Sequence, residues 1–151
     1  MKLRLTLLSL LLAGALLGFR PATPNFSGTW SFNPAKSANL GMMARMSDTV
    51  TIEQTETMLT THDAASFGGA AQPPRDTHYD LTGKAVSNTS PTGEAGETTS
   101  RWQGDRLVTT WITEGSVAGS KHERVETRYL SADGRTMYLE SKPIVMAFDK
   151  R

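Results

Sequence analysis

The sequence contains no cysteine. Disulfide bridges, thiolate metal centres and a lipid-modified N-terminal cysteine are thereby excluded, so stability must come from packing and closed hydrogen bonding. An excess of charge of one sign is also missing: 16 Lys and Arg face 15 Asp and Glu among 151 residues. No basic field is available to hold nucleic acid or anionic lipid. Aromatic residues make up only 7%, with three tryptophans. Long apolar runs are absent except at the start, where Leu5 to Phe19 follow Lys2 and Arg4. That stretch, about 15 residues, falls short of the about 20 a membrane span needs and suits the apolar region of a secretory signal.

We therefore expect a signal peptide over residues 1–22 and a single domain over 23–151, exported to a periplasm or secreted, with no stable membrane span once the signal is removed. Removal of Lys2, Arg4 and Arg20 leaves 13 basic against 15 acidic residues, a net charge of about −2. The remaining length suits one domain with one core, and a monomer is expected.

Catalytic signatures are missing as well. His62, His78 and His122 fall on three separate predicted strands, with no His-x-x-x-His, no Gly-x-Ser-x-Gly and no cysteine. Most carboxylates lie at turns or alternate with basic residues, the pattern of a solvated face. No catalytic residue is assigned, and a non-enzyme is expected. Met43 and Met46 place two thioethers three residues apart, a soft pair that with a histidine would suit Cu(I). A methionine cluster is more commonly plastic packing over a core opening, so neither metal nor cofactor is assigned.

What the chain does contain is a rhythm of short stretches rich in Thr, Val, Ile, Tyr and Trp between turn signals. Strands are predicted at 27–32, 49–54, 58–63, 77–81, 85–88, 98–102, 106–113, 122–130, 136–141 and 144–148, the fifth and last being marginal. Eight or ten strands therefore remain open. Thr82-Gly83-Lys84, Gln103-Gly104-Asp105 and Ser131-Ala132-Asp133-Gly134 supply glycine where hairpins need positive φ. Two connections are long. Residues 33–47 carry Met42, Met43 and Met46 at a spacing that predicts a short helix capping an open end, and residues 64–74 read as a mobile loop ending in Pro73-Pro74. On the strand 106–113, Leu107, Thr109, Trp111 and Thr113 share one face, so an interior lined by it is either a hydrated pocket or a small filled barrel.

Sandwich and barrel both accommodate such strands, and closure is favoured because it removes exposed edges without a disulfide. Phe26-Ser27-Gly28-Thr29-Trp30-Ser31-Phe32 resembles the first strand of lipocalins and fatty-acid-binding proteins, where Gly-x-Trp closes the barrel base. Arg101 to Val108 resembles a strand-turn-strand run of the fatty-acid-binding branch, and the chain as a whole is similar to bacterial exported lipocalin-like domain proteins of calycin type, mostly of unassigned activity. The resemblance implies an all-β, antiparallel up-and-down barrel.

It also implies roles for particular residues. Gly28 and Trp30 would close the base, with Arg128 laid over the tryptophan as a basic residue is in lipocalins, and Arg124 as second choice. Fatty-acid-binding proteins hold a carboxylate with Arg-x-Tyr on one strand face, whereas this chain has Arg128-Tyr129, whose side chains point to opposite faces of a regular strand. Fatty-acid specificity is thereby put in doubt. A ligand pocket would be lined by Met42, Met46, Tyr79, Trp102, Trp111, Tyr129 and Tyr138. The expected function is binding or carrying a small hydrophobic or amphiphilic molecule. The alternative is a secreted protein-interaction module, an inhibitor or envelope component, with a filled barrel and with loops 64–74 and 114–120 in contact with a partner.

Overall fold

The structure, a computed structural model, describes residues 23–151, and the expected signal peptide lies outside the described residues. Alternation of inward and outward side chains produces eleven strands among the described residues: β1 (Gly28–Phe32), β2 (Met46–Gln54), β3 (Met58–Phe67), β4 (Ala70–Ala71), β5 (Arg75–Asp80), β6 (Ala85–Thr89), β7 (Ala95–Gln103), β8 (Arg106–Glu114), β9 (Lys121–Leu130), β10 (Thr136–Ser141) and β11 (Ile144–Lys150). All pairings are antiparallel, and the sheet runs β4-β3-β2-β1-β11-β10-β9-β8-β7-β6, with β5 also on β3. The chain thus meanders up and down, and β1 joins the two ends of the sequence by pairing with both β2 and β11.

Three expectations are corrected. The backbone ladder does not close, because β5 and β6 flank a gap despite the Thr82-Gly83-Lys84 turn between them. Asn88 spans it with its side chain: Oδ1 accepts from the His78 amide at 2.9 Å, and Nδ2 donates to the His78 carbonyl at 2.7 Å. Second, no capping α-helix follows β1. Residues 34–36 and 41–45 form only 3₁₀ turns, and Met46 already opens β2, which leaves too few residues for a helix that must repay its nucleation. Third, residues 64–74 are not a free loop. β3 continues to Phe67 because β2 supplies a partner as far as Met46↔Phe67, and Ala70–Ala71 fold back as β4.

One end of the core lies around the start of β1. Phe26, Trp30, Leu59 and Leu107 are buried there, and Phe26 stacks on Trp102 with ring centroids 6.0 Å apart. Trp30 donates its indole N–H to the Phe26 carbonyl at 2.8 Å, so burial leaves it no orphaned donor. Gln54 ties down the chain ahead of β1 by accepting from the Phe26 amide and donating to the Pro24 carbonyl. Above this floor the inward threonines of β3, β5, β7 and β8 are buried, and neighbouring hydroxyls satisfy one another, as in the 2.8 Å Ser100–Thr109 pair. Among the described residues no helix is long and apolar enough to cross a membrane.

Candidate functional site

Above the threonine layer the interior opens into a cavity of about 710 Å³. One wall is apolar, built from the inward positions of β10 and β11: Met137, Leu139, Ile144, Met146 and Phe148. Val50 and Met46 of β2 continue it, while Met43, Phe67, residues 72–74 and the turn at 89–93 form the rim.

The other wall is charged. Period two along β9 turns Arg124, Glu126 and Arg128 inward while Val125, Thr127 and Tyr129 face out. Glu126, 7% exposed, accepts from the Trp111 indole at 3.0 Å and pairs with Arg124 at 2.9 Å. The Arg124 guanidinium also lies 5.5 Å from the centre of the Trp111 ring. Arg75 of β5 reaches Asp63 of β3 at 3.2 Å, and Asp48 of β2 is the diagonal neighbour of Asp63 on the inward face. Burial first, and then the Asp63 charge, push the Asp48 carboxyl up to about 6, against the opposing pull of Arg75 and the Thr49 amide.

Arg128 stands apart. It is only 6% exposed, yet the ion pairs among the described residues join Lys36 to Asp149, His62 to Asp76, Arg75 to Asp63 and Arg124 to Glu126, and none involves Arg128. Its guanidinium lies 5.1 Å from the Tyr79 ring centre and its Nε has no hydrogen-bond partner. Burial holds the Tyr79 phenol above its ordinary value while Arg128 pulls it down. A buried, unpaired cation facing a cavity is an incomplete arrangement that an anion would complete.

The residues singled out from sequence are dispersed by this geometry. Gly28 and Trp30 sit at the base, but the cation over Trp30 is Lys150, 5.4 Å from the ring centre, because β11 rather than β9 neighbours β1. Arg128 is instead a cavity residue, and Arg124 lies over Trp111. Of the proposed lining residues, Met46 contacts the cavity; Tyr79 and Trp111 are buried behind it and support Arg128 and Glu126. Trp102 belongs to the base, Met42 is 78% exposed, and Tyr129 stacks on Tyr138 outside the sheet at 5.1 Å, with Arg106 over it. Asp48, Asp63, Arg75 and Glu126 were absent from the sequence-based set. The alternation Arg124-x-Glu126-x-Arg128 was visible, but alternating charge reads as a solvated face until the fold shows which side is inside. Among the described residues no group of three His, Asp or Glu is placed to hold a metal ion.

No family model matches the chain, and no curated protein matches it. Solved structures do match. Human cRBP IV is similar at a TM-score of 0.60 and 18% identity, covering 85% of this chain and 99% of its own. The fluorescent protein UnaG, wild type, gives 0.62 at 15% identity over 83% of this chain and 97% of its own. A Schistosoma mansoni fatty acid binding protein in complex with arachidonic acid gives 0.58 at 13% identity over 83% and 96%. At these identities the likeness is one of fold. The shared fold is an all-β, antiparallel up-and-down meander.

Proposed function

We propose that this protein is an exported, non-enzymatic carrier of a small amphiphilic molecule, held in the cavity with an acidic head on Arg128. The observation that carries the reading is the buried guanidinium, without an ion-pair partner among the described residues, facing a cavity of about 710 Å³ whose adjoining wall, on β10 and β11, is apolar. That volume lies in the ordinary range of small-molecule sites, and the combination of apolar wall and few polar anchors is their usual chemistry. Similar structures include a fatty acid transporter and a fatty acid binding protein in complex with arachidonic acid, which supports an amphiphilic acid as ligand class. The doubt raised by Arg128-Tyr129 concerns a clamp made by one strand; here the aromatic partner of Arg128 is Tyr79, brought from β5. The cavity also favours the carrier over an interaction module with a filled interior.

Hexadecanoic acid is a suitable probe, followed by native mass spectrometry and by displacement of a fluorescent fatty acid. The wild type is expected to bind one molecule, and Arg128→Met to bind at least tenfold more weakly, about 1.4 kcal/mol or more for a lost charge-assisted contact. Equal affinity in both proteins would remove Arg128 from the site. Export rests on Lys2, Arg4 and the apolar stretch after them. Intact-mass measurement of protein recovered from outside the cytoplasm tests it: a chain beginning near residue 23 is expected.

A further inference from the structure

Three buried side-chain polar atoms lack a hydrogen-bond partner among the described residues: Asp48 Oδ1, Arg75 Nε and Arg128 Nε. All three belong to residues that line the same cavity. Buried polar groups in folded proteins are nearly always satisfied, and the rest of this interior obeys that rule down to its threonine pairs. Concentration of the exceptions in one cavity marks it as a place where an occupant with polar groups finds ready partners. An acidic head on Arg128 accounts for one of them. Asp48 of β2 and Arg75 of β5, which flank β3 on either side, hold the other two.

We propose that the cavity selects amphiphilic acids that carry a second polar group along the chain, a hydroxyl, which donates to Asp48 and accepts from Arg75. This rests on the carrier reading above and adds a specificity to it. A plain alkyl chain would leave an acceptor and a donor desolvated and unmatched, which a site built around polar groups penalises heavily. An ammonium would satisfy Asp48 but leave Arg75 Nε without an acceptor and place two positive charges together. A hydroxyl is the smallest group that donates and accepts at once. Asp63 Oδ2 already accepts from Arg75 at 3.2 Å and from the Thr61 hydroxyl at 3.3 Å, whereas Asp48 Oδ1 is buried with no hydrogen-bond partner among the described residues.

The experiment compares hexadecanoic acid, its mid-chain monohydroxy analogues and a mid-chain amino analogue, with affinities measured by displacement of a fluorescent fatty acid from the full mature domain. In the wild type the best hydroxy acid is expected to bind about tenfold more tightly than the plain acid. Asp48→Leu is expected to abolish that preference and to bind the plain acid at least as well as the wild type does. Asp48→Asn, which keeps an acceptor oxygen and the side chain's shape, is expected to retain part of the preference, an effect that a packing change would not produce. Equal wild-type affinities for plain and hydroxy acids, tighter binding of the amino analogue, or a preference that survives in Asp48→Leu would overturn the specificity while leaving the carrier standing. Failure of every acid to bind would overturn both.

Discussion

Gly28 has φ +131°, and a Cβ built there would stand 3.3 Å from Lys150 Cε. The glycine of Gly-x-Trp is therefore required twice, by a backbone that L side chains rarely adopt and by the lysine stem that crosses it to reach the Trp30 ring. Gly28→Ala is expected to cost about 1–3 kcal/mol in urea unfolding, with the strand pairing intact by circular dichroism. Asp48 behaves in the opposite sense. Its carboxyl is raised from 3.8 to about 6 in the folded chain, so the native state binds this proton more tightly than the unfolded state and stability falls as pH rises between those values. Asp48→Asn is expected to match the wild type near pH 4 and to exceed it by about 1–2 kcal/mol above pH 6, after allowance for solvent screening. Thermal melts across that range would show it. A constant offset at all pH values would mean that charge burial at Asp48 is not the cause. A residue that weakens the empty protein in this way is characteristic of a site kept for binding. It was not legible in the sequence, because Met46-Ser47-Asp48-Thr49 gives no sign of which side is inside until Val50 and Ile52 are seen to turn into the core.

At the scale of elements, strands were the legible part. All ten predicted strands are present, the two marginal ones included, because period-two alternation and glycine turns are local signals. Gly104 and Gly134 adopt φ of 63° and 68° in the turns assigned to them. What local signals could not show was partnership. β3 runs on through Ala64, Ala65 and Ser66, residues of weak strand preference, because β2 lies beside them, and β5 and β6 fail to pair although a turn joins them. In the gap the Asn88 side chain stands in for a ladder, with a further 2.7 Å bond from its Nδ2 to Thr98 Oγ1. Asn88→Ala is expected to raise hydrogen exchange at the His78 amide by at least tenfold and to lower stability by about 1–2 kcal/mol. Exchange at Thr109 and Thr110, deep in the β7-β8-β9 ladders, should change only in proportion to the global loss. If His78 remained as protected as in the wild type, the side chain would not be holding the gap.

Across the whole molecule, the work is divided between two ends. The base is apolar and sealed: Phe26 and Trp30 are fully buried, and neither they nor Trp102 line the cavity. The cavity end carries the charges, one of them unpaired, and such groups contribute little or negatively to the stability of an empty protein. Stability and binding should therefore separate on mutation. Phe26→Ala removes a fully buried ring that stacks on Trp102, and it is expected to cost about 3–5 kcal/mol while the folded protein keeps its affinity for hexadecanoic acid within about twofold. Arg128→Met is expected to leave the empty protein as stable as the wild type or more so, because it removes a desolvated charge that has no carboxylate partner among the described residues. Linkage then supplies a single comparison for all three proteins. A ligand that binds only the folded state adds RT ln(1 + [L]/Kd), about 2.7 kcal/mol at a hundredfold excess over Kd. At one fixed concentration of hexadecanoic acid, Phe26→Ala should gain as much as the wild type from its lower starting point, while Arg128→Met should gain at least 1 kcal/mol less (roughly what a tenfold weaker Kd removes). A Phe26→Ala protein that folds but gains nothing would show that the base shapes the site, and the division of labour between the two ends would fail.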